Sequence, residues 1–295
     1  MGSLQIKFLF FYIMTLLCVG IFIYFEKESK INSYLKEKTN SIKVTHESLY
    51  HEYKKLADII FFTQIKQQDI LEIFSQAKSA SIDERKIIRD KLYTRLDDVY
   101  SLLDSYDLRQ LHFHLPNSEI FLRFHRPEQF GDSLIGVRDT VEYVNKNKQI
   151  IDGFEEGRIF NGYRFVYPLF LNDEHLGSVE VSFSTSEFAR EYDIDYKTTS
   201  FFLVSKNLVD QKVFENEKDN YRISFLENFY ILNDEDLLKQ ESKMQELSKD
   251  IIDHKVIENK IFQGESFSIS DNDICDTITF IPIINPVTKS VAAVH

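Results

Sequence analysis

Cysteine is scarce in this chain, which limits what can hold the fold together. Among 295 residues only Cys18 and Cys275 occur, and Cys18 lies in a long apolar run near the N-terminus. A disulfide framework is therefore excluded, and no Cys-x-x-Cys or Cys/His zinc spacing is present. Stability must come from a core to which 26 Phe and 15 Tyr contribute without any Trp. We expect Cys275 to be buried in a strand.

Other absences limit the possible functions. The chain contains no Gly-rich phosphate loop, no GxSxG elbow and no HExxH motif, so no catalytic residue is predicted. Its net charge of -12, without clustered Lys and Arg, argues against a nucleic-acid binder. A hydrophobic content of 43% with 28% charged residues is ordinary for a globular protein. Composition thus favours small-molecule or protein partners, and no cofactor is expected.

One apolar run is long enough to cross a bilayer. Phe8 to Phe25 is uncharged throughout, and as a helix it spans roughly 27 Å, close to the thickness of the hydrocarbon core. A cleaved signal peptide is the alternative, but the run exceeds a usual h-region and Glu26-Lys27-Glu28 follows it instead of small residues. We therefore expect an uncleaved anchor. Lys7 weakly favours residues 1–7 in the cytoplasm and the rest outside.

The segment after the anchor predicts one continuous helix from Glu26 to about Thr63, because it contains no Gly or Pro. Apolar residues recur seven apart within it, at Leu35, Ile42, Leu49 and Leu56. The alternate heptad positions include Lys38, Thr45 and Glu52, so a dimeric coiled coil is not demanded. The favoured interpretation is a stripe that packs on its own domain.

The remaining pattern predicts helices first and strands afterwards, in two successive modules. The predicted helices are Phe61–Phe74, Asp83–Leu103, Val137–Asn147 and a polar helix from Asp234 to about His254. The predicted strands are Gln110–Leu115, Glu119–His125, Gly162–Phe170, Gly177–Ser184, Phe201–Val204, Ser266–Ser270, Thr277–Ile284 and Ser290–Val294.

Charged residues occur at alternate positions of these apolar strands. With a period of two, Phe121, Arg123 and His125 share one face, while Ile120, Leu122 and Phe124 share the other. The same rule groups three further sets: His112 with His114, Arg164 with Val166, and Ser178 with Glu180 and Ser182. Charges in such positions need partners or a ligand, so they are expected to point inward.

An ordered series of motifs resembles the double Cache sensor family. It runs from Leu111-His112-Phe113-His114-Leu115-Pro116 through Phe121-Leu122-Arg123-Phe124-His125-Arg126-Pro127 and Phe130-Gly131-Asp132 to Gly177-Ser178-Val179-Glu180. The chain is similar in particular to the double sensory domain of bacterial two-component sensor kinases and chemoreceptors, over roughly residues 29–294. The resemblance implies an α+β fold, with a long helix carrying two tandem PAS-like modules with antiparallel sheets.

The resemblance also implies a domain order and a location. Residues 1–7 are expected to be cytoplasmic, 8–25 transmembrane, 26–195 the long helix with the membrane-distal module, and 196–295 the membrane-proximal module. The sensor would face the periplasm or the exterior of a cell inner membrane, as part of a receptor that is a homodimer in its full-length form. The family's second span and output domain, a kinase, chemoreceptor or cyclic-dinucleotide enzyme, are expected beyond His295.

The candidate ligand site follows from the charges together with the resemblance. Guanidinium forks suit a carboxylate or phosphate and acidic groups suit an amine, which predicts an anionic or zwitterionic metabolite. The candidate residues are Arg123, His125, Phe130, Arg138, Phe154, Glu155, Arg164, Val166, Tyr167 and Glu180. The competing interpretation is internal pairing between the Arg and Glu residues, with the aromatic side chains in the core.

Two further interpretations remain open. His112, His114 and His125 could hold a metal ion, but no carboxylate or Cys stands at ligand spacing, so packing, hydrogen bonding or titration is favoured and no metal is predicted. Alternatively the chain is an anchored adhesion module, or a hydrolase that uses Glu155 and Glu180. Turnover by the isolated domain would indicate the hydrolase, saturable binding without product would indicate a sensor, and neither result would be expected of an adhesion module.

The cysteine content yields a first prediction. Residues 29–295 retain only Cys275, so the protein without its anchor should fold as a soluble domain whose melting does not depend on reductant. Thermal melts with and without dithiothreitol should superimpose. Loss of cooperative melting on reduction would contradict this expectation.

Overall fold

The computed structural model describes residues 3–106, 108–232, 253–270 and 277–295. The helices are α1 Ser3–Ile60, α2 Gln68–Ser75, α3 Ile82–Asp104, α4 Asp139–Asn147, α5 Thr185–Tyr196, α6 Lys206–Lys212 and α7 His254–Phe262. The strands are β1 Leu108–His114, β2 Ile120–Arg123, β3 Ile151–Glu155, β4 Gly162–Leu171, β5 Glu174–Phe183, β6 Leu203–Ser205, β7 Tyr221–Ile223, β8 Phe229–Leu232, β9 Phe267–Ser270, β10 Thr277–Phe280, β11 Pro282–Ile284 and β12 Val291–Val294. Cys275 and most of the predicted polar helix lie outside the described residues.

Helix α1 is the longest element, and it joins the apolar run to the folded body. Among the described residues it is the one helix with the length and composition to cross a membrane, and its apolar run is exposed. The expected stripe packs on its own domain, since Leu49 is buried and Ile42 and Leu56 pack against the same core. The helix ends in a π turn at Phe61–Ile65.

Helix boundaries differ from the predicted ones at two places. The predicted helix Phe61–Phe74 is interrupted after the π turn, and α2 begins only at Gln68. Helix α5 was not predicted, although Ser184 supplies an N-cap hydroxyl that accepts a hydrogen bond from the backbone N–H of Ser186. The predicted start of α3 is confirmed: Ser81 and Glu84 form a reciprocal capping box.

The first sheet is antiparallel, with the strand order β2-β1-β5-β4-β3. One face is aromatic and aliphatic, and it packs against α1, α2 and α3 through residues that include Phe113, Phe165, Val179 and Phe183. The other face carries the polar side chains. Helix α4 covers this second face, where Val141 and Val144 pack on Val166.

A bulge between β1 and β2 changes the predicted faces of β2. His112 pairs with Arg123 and Phe113 with Leu122, but His114 pairs with Ile120, so Phe121 has no opposite residue. The grouping of Phe121 with Arg123 is therefore wrong. Phe121 instead packs edge-on against Phe74 in the core that α2 and α3 cover. Sequence alternation cannot show this, because an inserted residue breaks the period of two.

The second sheet has the order β11-β12-β6-β8-β7, and β9 and β10 form a separate hairpin. The predicted strand Thr277–Ile284 is divided into β10 and β11. Leu203, Phe229 and Ile231 join α7 and the hairpin in a small core of their own. The hairpin touches α1, where Thr39 and Ser268 share a hydrogen bond of 2.7 Å.

The two sheets and α1 meet at a buried histidine. The His46 ring of α1 lies 2.8 Å (Nδ1 to Nδ1) from His295, just after β12, and 3.1 Å (Nε2) from the Tyr163 hydroxyl of β4. Burial lowers the pKa of His46 to about 4, so its ring is neutral at physiological pH. Helix α1 therefore touches the β9–β10 hairpin along its earlier turns and the first sheet along its later ones.

A close approach in the first sheet gives a prediction. Gly177 has a φ of +136°, and a Cβ there would lie 2.1 Å from the carbonyl oxygen of His114. Gly177→Ala should therefore destabilise the fold by more than the roughly 1–3 kcal/mol of backbone strain alone. Gly131→Ala is the control, because its φ of +85° imposes strain but a Cβ there meets nothing within 4 Å. If urea titrations showed that Gly177→Ala and Gly131→Ala lose the same free energy of unfolding, the predicted clash would be contradicted.

Candidate functional site

Four buried charges lie between the first sheet and α4, and we call them the charge quartet: Arg138, Glu155, Arg164 and Glu180. Arg138 Nε lies 2.8 Å from Glu155 Oε2, and its terminal nitrogen contacts Glu180 Oε2. Arg164 donates to Glu180 Oε1 at 2.7 Å and lies 3.9 Å from the Glu155 carboxylate. No member is more than 5% exposed. Each guanidinium thus touches both carboxylates, and the four formal charges cancel.

Uncharged groups complete the hydrogen bonding around the quartet. Thr140 donates to Glu155 from its backbone N–H at 3.0 Å and from its hydroxyl at 2.6 Å. Arg164 also donates to the side chain of Gln110 at 2.9 Å and to the carbonyl oxygen of Phe160 at 2.6 Å. Burial of ions this deep is costly unless each is paired and hydrogen-bonded, and this network meets both conditions.

The charge states follow from these contacts. Burial raises the pKa of Glu180 and Glu155, but the neighbouring Arg138 and Arg164 outweigh it, so both pKa values fall below their ordinary range. Burial lowers the pKa of Arg138, and the two carboxylates outweigh that effect as well. Burial and the neighbouring Arg138 lower the pKa of Arg164, but a guanidinium keeps its proton in proteins, so all four groups are ionised at neutral pH.

Three histidines line the same polar face beside Glu180. His112 Nε2 lies 3.2 Å from His125 Nδ1, and His114 Nδ1 lies 3.2 Å from the Ser178 hydroxyl. The second nitrogens, His112 Nδ1 and His114 Nε2, are buried without a hydrogen-bond partner. Burial lowers the pKa of His114 to about 3 and that of His125 to about 4, so these rings are neutral.

The β2–α4 segment, residues 124–138, lies at the rim of this face. Arg123 holds it through two hydrogen bonds of 2.8 Å to the Asp132 carboxylate. The Phe130 ring is 44% exposed and stacks on the Arg89 guanidinium, whose central carbon lies 3.4 Å from the ring centroid. Arg138 is the N-cap residue of α4 and ends the segment. The outermost member of the quartet therefore belongs to the segment that borders the site.

The predicted site residues occupy three different places. Arg138, Glu155, Arg164 and Glu180 come together in the quartet, and Val166 lies on the same face beneath α4. Arg123, His125 and Phe130 lie at the rim. Phe154 and Tyr167 lie on the opposite, helix-facing side, where the Tyr167 hydroxyl donates to Asp58 of α1 at 2.8 Å.

Sequence reasoning left several neighbours of the quartet out of the candidate site. Gln110 alternates with His112 and His114 along β1, so periodicity could have included it. Thr140 lies two residues after Arg138 at the start of α4, which only the folded helix reveals. Glu156 is 1% exposed, and its carboxylate accepts hydrogen bonds of 3.0 Å from both the Tyr221 hydroxyl of β7 and the N–H of Gly157.

The polar face is tied to α1 and to the second sheet. Asp152 of β3 accepts hydrogen bonds from Tyr50 and Lys54, one helical turn apart on α1. Asp139, next to Arg138, forms an ion pair of 2.6 Å with Lys212 of α6. Gly153 lies against Pro286, in the turn between β11 and β12. Residues next to the quartet in sequence thus contact both α1 and the elements of the second sheet.

The comparison with protein-family models decides the family. Residues 42–247 match the family described as the double sensory domain of two-component sensor kinase. The chain belongs to this family. Its α+β fold with antiparallel sheets agrees with that membership, and the family is described as a sensory domain.

Solved structures of sensory domains resemble this double sensory domain distantly. The Campylobacter jejuni chemoreceptor Tlp3 (CcmL) sensory domain with isoleucine bound is 15% identical, has a TM-score of 0.45, and is matched over 91% of this chain and 94% of that chain. The V. cholerae histidine kinase DctB sensor domain is 11% identical, has a TM-score of 0.43, and is matched over 88% and 95%. No curated protein matches the chain. Likeness of this degree assigns no ligand.

Glu156 gives this double sensory domain a pH dependence. Burial raises its pKa to about 7, against hydrogen bonds from Tyr221 and Gly157 that favour the ionised form. The folded protein therefore binds this proton more tightly than the unfolded chain, and the stability from Glu156 declines as pH rises from about 4.5 to 7. We expect this contribution to be on the order of 3 kcal/mol.

The test compares the wild type with Glu156→Gln in urea unfolding from pH 5 to pH 8. The amide is uncharged at every pH, so the free energy of unfolding of the variant should not show the decrease between pH 5 and pH 7 that Glu156 causes. The variant should therefore be more stable than the wild type at pH 8. Glu52→Gln, at an exposed position of α1, is the matched control and should follow the wild type. Parallel pH curves for the wild type and Glu156→Gln would contradict the assignment.

Proposed function

We propose that this chain is the extracytoplasmic ligand-sensing region of a transmembrane signalling receptor, anchored by Phe8–Phe25. Residues 26–195 form the membrane-distal module and residues 196–295 the membrane-proximal one. Family membership, together with an exposed apolar run at the start of α1, supports this placement. The contacts of α1 support the order, since Thr39 meets the β9–β10 hairpin before Tyr50 and Lys54 meet the first sheet.

The observation that carries the ligand proposal is the charge quartet, in which two guanidinium groups and two carboxylates pair within one buried site. An anionic or zwitterionic metabolite offers groups of the same kinds that the quartet already pairs, namely a carboxylate for the arginines and an amine for the glutamates. We expect Arg138 to be the group that exchanges partners, because it ends the rim segment, while Arg164 is anchored on the interior strand β4. Ligand binding would replace internal ion pairs with intermolecular ones.

Signal transmission follows from the same contacts. Partner exchange at Arg138 shifts the N-terminus of α4 and, through Glu155, the strand β3. Asp152 of that strand is bonded to two consecutive turns of α1, so a shift of β3 pulls on the helix that enters the membrane. A hundredfold preference of the ligand for one arrangement supplies at most about 2.7 kcal/mol to this movement.

An anchored hydrolase is disfavoured by the charge states. A glycosidase-type acid needs a carboxyl group whose pKa is raised, so that it holds a proton at working pH. Both Glu155 and Glu180 have lowered pKa values, because Arg138 and Arg164 contact them. Neither carboxylate is suited to donate a proton.

The ligand proposal predicts which variants lose binding. The full chain in lipid nanodiscs should be screened by thermal shift and calorimetry against amino acids, organic acids and amines. A hit should bind wild type and Arg95→Gln alike, since Arg95 pairs with Asp69 on the exposed side of α3. Arg138→Gln should bind it at least about tenfold more weakly, because one charge-assisted contact is lost. The hit should also change hydrogen exchange in residues 42–60.

Two results would contradict this assignment. A compound that binds Arg138→Gln, Glu180→Gln and wild type equally well places the ligand site elsewhere. Variants that no longer melt cooperatively, beside a wild type that binds none of the compounds, would mean that the quartet has a purely structural role.

A further inference from the structure

Two histidines and one glutamate on the polar face bring potential metal ligands together. His112 and His114 are two apart on β1, and Glu180 of β5 stands directly opposite His112. One ligand atom from each of the three residues lies within 4.8 Å of the other two. In a tetrahedral zinc site, ligand atoms about 2.0–2.3 Å from the ion lie somewhat closer together than this, so a contraction of about 1 Å would close the site.

The hydrogen bonds of the two rings orient their free nitrogens. His112 uses Nε2 toward His125, and His114 uses Nδ1 toward Ser178. The remaining nitrogens, His112 Nδ1 and His114 Nε2, are buried and have no partner. Metal-binding histidines characteristically bond an outer group through one ring nitrogen, which directs the lone pair of the other toward the ion. A buried imidazole nitrogen without any partner is otherwise costly.

We propose that His112, His114 and Glu180 form a binding site for a divalent transition-metal ion of the zinc, nickel and copper class. Two imidazoles and one carboxylate suit these ions, whereas Mg²⁺ and Ca²⁺ prefer sets made entirely of oxygen ligands. Three protein ligands leave a fourth position for water or for an anionic group. The site goes beyond the sensory function proposed above and shares only Glu180 with the organic ligand.

The arginines determine how such an ion would act. Glu180 Oε2 already contacts Arg138, and Oε1 contacts Arg164, so a cation must compete for this carboxylate. Arg138 is the partner that can yield, because it caps α4 at the end of the rim segment. Metal binding would therefore weaken the Arg138–Glu180 pair. A metal ion and an anionic ligand would thus both act on the Arg138–Glu180 pair, but the metal binds the negative Glu180 and the anion binds the positive Arg138.

Removing the positive charge of Arg138 should therefore affect the two kinds of ligand in opposite directions. Arg138→Gln removes a cation that repels the metal and competes for Glu180, so it should raise metal affinity by about tenfold. The same substitution should weaken an organic anion, as argued above. The metal proposal fails if Arg138→Gln does not bind the metal more tightly, and the ligand proposal fails if Arg138→Gln binds the organic anion as well as the wild type does. The two failures can therefore be told apart.

The experiment titrates the full chain, without a histidine tag, in lipid nanodiscs. Zn²⁺, Ni²⁺ and Cu²⁺ should each bind saturably at one site per chain by calorimetry, while Mg²⁺ and Ca²⁺ should not compete. His114→Gln should lower the affinity at least about a hundredfold. His51→Gln, at an exposed position of α1, is the matched control and should bind like the wild type.

A second measurement needs no substitution in the site. The electron paramagnetic resonance spectrum of the wild-type protein with one equivalent of Cu²⁺ should show nitrogen hyperfine coupling from two imidazoles. Absence of saturable binding, equal affinity in His114→Gln, weaker binding in Arg138→Gln, or a Cu²⁺ spectrum without two nitrogen ligands would each overturn the proposal.

Discussion

Mutual neutralisation of two carboxylates and two guanidinium groups in the interior is the constraint on which the first module depends. Removing such ions from water costs several kcal/mol each, and only close opposite charges with further hydrogen bonds offset that cost. Glu155, Arg164 and Glu180 come from three adjacent strands, and Arg138 comes from the start of α4. Sheet order, strand register and the position of α4 must therefore all be correct at once. A change in any of them leaves a charge buried without its partner.

That dependence distinguishes this face of the sheet from the other. The helix-facing side is held by aromatic contacts such as Phe61 on Tyr167, whose ring centroids are 4.2 Å apart. Such contacts tolerate small displacements, since dispersion and area burial have little directionality. The polar side is directional, and its geometry changes when a hydrogen-bond partner changes. The sheet thus has one face whose packing tolerates small shifts and one face whose contacts depend on direction.

Local pattern predicted much of this organisation. Period-two alternation placed Arg164 and Glu180 inward because their strands are regular, and the helix predicted from Asp83 agrees with α3, which begins at Ile82. The faces of β2 were assigned wrongly because a bulge inserts Phe121, and bulges leave no mark in hydrophobic alternation. The break before Gln68 was missed for a related reason, since a π turn retains helical periodicity.

Pairing across the sheet was beyond local reasoning. The opposition of His112 and Glu180 depends on the register of β1 with β5, which no spacing along the chain encodes. Along the sequence no carboxylate stands at ligand spacing from these histidines, whereas Glu180 stands opposite His112 on the adjacent strand. Glu156 was passed over because its partner Tyr221 belongs to the second sheet. In each case the missing information was a contact distant in sequence.

Strand β3 has a mechanical consequence of its own. Its successive residues alternate between faces, so Asp152 reaches α1 while Gly153 lies against Pro286 of the second sheet's turn. The strand is thus clamped between two bodies, and sliding α1 lengthwise past the second sheet would shear directly across it. Such sliding must carry β3 along or break the Asp152 contacts. The architecture therefore resists a lengthwise stroke of α1 alone and offers less resistance when helix and first sheet tilt together as one unit.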